Sequence, residues 1–125
     1  MSIETRPLTE QFGVEAIGVD LATPMTDATF EALRRAFVDA GAMLIRNQDH
    51  LTPADQVRFS ARFGTLESHV LGQFTLPGQP EIFVVSNIIE DGEHIGAHGG
   101  SKQYHSDLAY LAMPSLGSIF RCLEC

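Results

Sequence analysis

Two helix signals, each opened by capping residues and separated by a short apolar run, constrain the front half of this chain more tightly than any other feature. Thr52, Pro53 and Asp55 open the clearer one. Threonine can cap, proline suits the first helical position, and a carboxylate three residues after the cap faces free amides. Val57, Ala61 and Phe63 are expected on its inner face, with Gly64 ending it. Upstream, Thr26 and Asp27 precede Phe30, Leu33, Phe37 and Ala40 at helical spacing, and Gly41 supplies a stop. Between the two helices, Ala42 to Ile45 reads as a buried strand. Phe12 to Leu21, with Val14, Ile17 and Val19 among polar neighbours, suits short strands of an N-terminal sheet.

The back half carries strand and loop signals instead. Leu76 to Pro80 reads as a loop and Ile82 to Val85 as an apolar strand. Asn87 to Gln103 reads as a long flexible loop holding Asp91, Gly92, Gly96, Gly99 and Gly100, of the kind that serves as a lid or connector. Tyr104 to Leu111 and Ser118 to Leu123 read as two further strands, separated by a turn at Pro114 to Gly117.

A chain of 125 residues makes at most one ordinary domain, and 44% hydrophobic content is enough for a packed core. Eight Lys and Arg against sixteen Asp and Glu leave a net charge of −8, with no basic cluster to neutralise phosphates. No nucleic acid and no membrane is therefore expected as a partner. The longest run free of charge and histidine, Leu108 to Phe120, contains Pro114 and falls short of the ~20 apolar residues of a spanning helix. The N-terminus lacks an apolar signal core, so a cytoplasmic location is expected. Cys122 and Cys125 form a CxxC with no second ligand pair and no helix following, which reads as two reduced thiols.

Among the five histidines, His50, His69, His94, His98 and His105, the last has a carboxylate at metal-ligand spacing. Residues i and i+2 of a strand project to one face about 6.5 Å apart, twice the rise per residue, so His105 and Asp107 can converge on one ion. With a second imidazole from elsewhere they would make the facial triad that holds iron(II) and leaves positions open. By itself HxD is a weak pattern, equally a hydrogen-bonded surface couple. His94 and His98 read as solvated loop residues. Gly99, Gly100, Ser101 and Lys102 fail the Walker spacing. Glu15 with Asp20, and Asp49 with Asp55, read as ordinary surface acids rather than acid/base pairs.

The ordered segments GVDL, LRRAF, GAMLIRNQ, LTPADQVRFSARFG and YHSDLAY together resemble the N-terminal half of taurine dioxygenase-like enzymes, the TauD/TfdA group of iron(II)/2-oxoglutarate-dependent oxygenases. The resemblance implies an α+β fold built on a double-stranded β-helix, a clavaminate synthase-like jelly roll with outer helices, of which residues 1–125 would be the N-terminal portion of a single domain. It implies Fe(II) held by His105 and Asp107, 2-oxoglutarate as cosubstrate, and hydroxylation of a small-molecule substrate, taurine-like, sulfonate-like or aryloxy acid-like, with release of succinate and carbon dioxide. His69, in FGTLESH, matches the region where the family places a substrate-contacting histidine, and Asn87 would line the pocket at the end of IFVVS.

Two departures bear on that expectation. Tyr104 stands where many relatives carry tryptophan. No histidine follows His105, and Arg121, the single basic residue after Asp107, matches nothing in the pattern that pairs an arginine with the far carboxylate of 2-oxoglutarate. The chain therefore reads as a truncated oxygenase that would not turn over 2-oxoglutarate alone. The other reading is a non-catalytic fragment acting as an interaction or dimerisation module, and either leaves a homo-oligomer open.

Overall fold

The helix expected after Thr26 forms as Asp27–Ala40 (α1). Thr26 Oγ1 accepts the Thr29 amide at 3.2 Å, and Gly41, at φ +75°, returns its N–H to the Phe37 carbonyl at 2.8 Å. A side chain in that left-handed conformation costs roughly 1–2 kcal/mol, which is why glycine closes the helix. The computed structural model describes residues 2–69, 71–100 and 102–124, divided into two compact units, Met1–Thr65 and Leu66–Cys125.

In the first unit, strands β1 (Glu4–Pro7), β2 (Val14–Ile17) and β3 (Met43–Leu44) form one sheet in that order. β1 runs antiparallel to β2, while β3 runs parallel to it. A parallel neighbour requires a crossover connection, and α1 lies on the connection between β2 and β3. The Val14 amide donates to the Ala42 carbonyl at 3.0 Å, so Val14 turns its polar groups toward β3. Pro7, paired opposite Val14, thus presents its donor-less nitrogen to the open edge, the place where proline costs a sheet least.

The second helix is α2 (Pro53–Ser60), followed by a 3₁₀ turn over Ala61–Phe63. Thr52 Oγ1 accepts the Asp55 amide at 3.2 Å and Asp55 Oδ2 accepts the Thr52 amide at 3.0 Å, the reciprocal capping box expected from the sequence. Its inner face differs from the expected one. Phe59 is the buried residue, Val57 and Phe63 are half-buried and Ala61 is exposed. Tightening from 3.6 to 3 residues per turn at Ala61 turns the later side chains away from the stripe that continuous helical spacing would give.

Ala16, Leu21, Phe30, Leu33, Leu51 and Phe59 make the core of this unit, with Leu33 only 1% exposed. Phe63 meets Phe30, Phe59 and Phe37 edge-on at centroid distances of 4.9, 5.5 and 6.1 Å, geometry that aromatic quadrupoles favour. Arg62 lies over the Phe30 ring and pairs with Asp27 at 2.6 Å, tying the turn after α2 to the start of α1.

Glu15 is a correction to the surface-acid reading. It is 7% exposed and held by Arg6 at 2.6 Å and Arg46 at 3.3 Å. The Arg6 hydrogen bond, opposed by desolvation and helped by the charges of Arg6 and Arg46, holds its carboxyl below the usual glutamate value. Asp20 instead pairs with His50, and Asp55 is the carboxylate partner of Thr52 in the α2 capping box.

The second unit begins with a 3₁₀ turn over Gly72–Phe74, then β4 (Thr75–Leu76) and β5 (Gln79–Phe83) pair antiparallel. The segment expected as a loop, Leu76 to Pro80, is thus the turn of a β-hairpin, with Gly78 at φ +80° supplying the reversal. The apolar strand ends at Phe83 rather than Val85. The long loop after Asn87 holds a second small hairpin, β6 (Ile89–Glu90) with β7 (Glu93–His94). Its return docks against the end of β5, since the Ala97 amide donates to the Val84 carbonyl at 2.9 Å and the Ser86 amide to the Ala97 carbonyl at 3.0 Å. Gly96 permits that approach, because a Cβ there would stand 2.8 Å from the Val84 carbonyl oxygen and 2.9 Å from the Ser86 nitrogen.

Neither Tyr104 to Leu111 nor Ser118 to Leu123 is a strand. Asp107 to Tyr110 form a turn in which the Leu111 amide donates to the Leu108 carbonyl and Leu108 takes φ +56°, a conformation costly to a Cβ-bearing residue. Alternating side chains make a strand only where a partner ladder takes up the backbone groups, and none among the described residues pairs with either segment. Tyr110, Met113 and Phe120 stand 72%, 83% and 81% exposed, so this segment packs into no core in the structure described. Among the described residues, three small sheets and two α-helices make an α+β arrangement. No helix among the described residues is long and apolar enough to cross a membrane.

Candidate metal centre

His105 and Asp107 meet without a strand. The bend at Gln103 and the turn opening at Asp107 bring His105 Nε2 to 2.9 Å from Asp107 Oδ1, both side chains more than half exposed. The other ring nitrogen, Nδ1, lies 3.0 Å from the Gln103 carbonyl oxygen. Both imidazole nitrogens therefore face oxygen acceptors, and a neutral ring can donate to only one of them. The second contact requires either a proton, making an imidazolium, or a cation between Nε2 and Oδ1. In the metal-free protein the Gln103 carbonyl first, and Asp107 second, raise the His105 pKa above the usual histidine value. A backbone carbonyl fixing Nδ1–H and leaving Nε2 for a metal is the common arrangement of ligating histidines. The donor set, one imidazole and one carboxylate, suits iron(II).

A His–Asp couple is not by itself distinctive here, because His50 Nε2 also lies 2.8 Å from Asp20 Oδ1. What sets His105 apart is the acceptor at each nitrogen. Among the described residues no group of three His, Cys, Asp or Glu side chains could hold a metal.

His69 is half-buried and held on two sides. Its Nδ1 accepts the Leu71 amide at 3.0 Å, and its ring stacks on Phe83 of β5 with centroids 3.8 Å apart and planes inclined by 17°. Because Nδ1 is the acceptor, the proton of the neutral ring sits on Nε2, which is a donor. Asn87 is exposed just past β5. No hydrogen bond or ring contact among the described residues joins either one to His105 or Asp107. Two surface clefts, of about 460 and 210 Å³, are lined wholly by residues of the first unit and include none of these four residues.

Ring contacts are what the sequence reading missed. His94 and His98 are exposed, yet they stack on each other at 3.4 Å, and His98 meets Phe74 edge-on at 6.3 Å. Phe74 in turn meets Phe83 at 6.4 Å. Phe83 carried a usable signal, as the aromatic of an apolar strand; the pairing of two loop histidines carried none. Of the CxxC, Cys122 is an exposed free thiol, and Cys125, like Ser101 of the rejected phosphate loop, lies outside the described residues.

Residues 4–125 match the family model described as taurine catabolism dioxygenase TauD, TfdA family. The chain is 29% identical over 130 residues to the (S)-phenoxypropionate/alpha-ketoglutarate-dioxygenase of Delftia acidovorans, covering 95% of this chain and 41% of that protein. It is 27% identical to an alkylsulfatase of Acinetobacter baylyi, covering 97% and 35% respectively. A taurine dioxygenase structure from Burkholderia xenovorans aligns at a TM-score of 0.61 with 30% identity, over 70% of this chain and 30% of that one. The structure of AAD-2 in complex with Mn(II) and N-oxalylglycine aligns at 0.50 with 28% identity, over 54% and 24%. The chain spans about two fifths of the length of the protein relatives it matches.

Proposed function

Because the chain belongs to the taurine catabolism dioxygenase TauD, TfdA family, we propose that it is the N-terminal portion of a single double-stranded β-helix oxygenase domain that uses iron(II) and 2-oxoglutarate to hydroxylate a small organic anion. The observation that carries this reading is His105, with an acceptor at each ring nitrogen and Asp107 2.9 Å away. His105 through Nε2 and Asp107 through a carboxylate oxygen are the residues that would hold the ion. The bound metal supplies the redox chemistry by which dioxygen oxidises 2-oxoglutarate and substrate.

The chain's own residues have simpler tasks. The Gln103 carbonyl keeps a proton on His105 Nδ1, so the imidazole presents its Nε2 lone pair. Asp107 offsets part of the ion's charge. His69 donates from Nε2 to the anionic head of the substrate, and Asn87 lines the same pocket. An anionic head agrees with the relatives' names, phenoxypropionate, taurine and alkylsulfate each carrying one. The substrate is sulfonate-like or aryloxy acid-like on this reading.

Manganese(II) is a redox-silent probe of the metal site. Titrating it into the chain and following the free-ion electron paramagnetic resonance signal should show binding that His105→Ala and Asp107→Ala each weaken at least tenfold. Binding unchanged in both variants would overturn the assignment.

A further inference from the structure

We infer that Phe83 is a positioning residue for His69, fixing the imidazole so that Nε2–H is aimed as the hydrogen-bond donor to an anionic substrate. The inference rests on the reading of His69 as a substrate contact and names the residue that gives it direction. A histidine ring has two freedoms to lose, rotation about its side-chain bonds and exchange of its proton between nitrogens. The Leu71 amide, 3.0 Å from Nδ1, removes the second, since a nitrogen that accepts cannot carry the proton. It does not hold the ring plane, because a single bond in the ring plane acts as a pivot.

Phe83 holds the plane. Its ring lies 3.8 Å from that of His69 with only 17° between the planes, a face-to-face contact that rotation of either ring would break. Phe83 is itself placed from two directions. It closes β5, pairing opposite Thr75 of β4, and Phe74 meets its edge at 6.4 Å with planes 76° apart. Phe74 is fastened by its own backbone, whose carbonyl accepts the Val84 amide at 2.8 Å. A strand held in the β4–β5 hairpin, whose register shifts between Thr75 and Leu76, thus orients a side chain that sits outside any strand, and the loop histidine gains direction from a strand residue.

Two measurements on the chain test this. Long-range proton–nitrogen correlation spectra of nitrogen-15-labelled protein report which His69 nitrogen is protonated, and its ring protons report the Phe83 ring through their upfield displacement. Titration with ethanesulfonate reports anion binding. The expected result is Nε2-protonated His69 with displaced ring protons in the unaltered chain. Phe83→Leu should lose the displacement and weaken ethanesulfonate about fivefold, the scale of refreezing one mobile side chain, while His69 stays protonated on Nε2 because the Leu71 amide still donates to Nδ1. Phe83→Tyr should restore the displacement and bring the binding back to within about twofold. Preserved amide shifts at Thr75 and Leu76 show that the hairpin is intact in each variant. Unchanged His69 resonances and unchanged binding in Phe83→Leu would overturn the positioning role. Unchanged binding in His69→Ala would instead overturn His69 as the anion contact, which separates the two failures.

Discussion

Replacing Leu33 with alanine tests whether the aromatic cluster of the first unit is the support on which its elements depend. Leu33 is 1% exposed on α1 and lies in one cluster with Ala16 of β2, Leu21, Phe30, Leu51 and Phe59 of α2. The change removes three buried carbons, about 2.4 kcal/mol at roughly 0.8 kcal/mol each. The cavity left behind raises the loss to about 3–4 kcal/mol, because rings fixed edge-on to one another collapse poorly into a void. A unit of this size is stable by only about 3–10 kcal/mol, so the variant should be close to unfolding at room temperature. The chain contains no tryptophan, and Tyr104 and Tyr110 both lie in the second unit. Fluorescence is therefore blind to this event. Circular dichroism at 222 nm is not, because α1 and α2 both belong to the first unit. Urea titration should show a lowered midpoint with an unchanged slope. A loss below about 1 kcal/mol would refute the reasoning, since it would mean that the cluster closes around alanine and that Leu33 is replaceable filling.

Thr52→Ala should cost about 1 kcal/mol by removing one half of the α2 capping box, measured by the same urea titration. Asp55, held at about 2 by its bonds to Thr52 and then Arg58, has a folded pKa below its unfolded value. Its stabilising contribution is therefore full above about pH 4 and is lost as pH falls toward 2; Asp55→Asn should flatten that part of the acid-unfolding profile, and an unaltered profile would count against the cap. Gly96→Ala should push the return of the second hairpin off β5, seen as faster hydrogen exchange at the Ser86 and Ala97 amides, whereas unchanged protection would mean that Val84 yields without cost.

How much of this was legible in the sequence follows from where each element finds its hydrogen-bond partners. A helix closes on itself, and its ends are written locally: Thr26 with Gly41 located both ends of α1, and Thr52 with Pro53 and Asp55 located the start of α2, whereas α2 gives way to a 3₁₀ turn at Ala61 before the expected stop at Gly64. A strand is a property of two segments. YHSDLAY reads as a strand, but strand geometry says only which side chains would share a face if a neighbouring ladder took up the backbone, and here the chain turns at Asp107 instead. The hairpin at Leu76 to Pro80 is the converse case, since proline and glycine that punctuate a loop also make the reversal that lets β4 and β5 pair.

His105 and Asp107 come together although the strand that was to bring them together is absent, and this has a local cause. A spacing of two residues keeps the side chains within reach in an extended or a bent backbone alike, whereas the Gln103 carbonyl that engages the second nitrogen depends on the bend. Spacing alone thus specifies a couple, and the backbone conformation decides what the couple can bind. The same division applies to His69. The sequence could mark it as a histidine between a helix and a hairpin, but a donor needs a direction. That direction comes from Phe83, fourteen positions along the chain, which no local pattern connects to it.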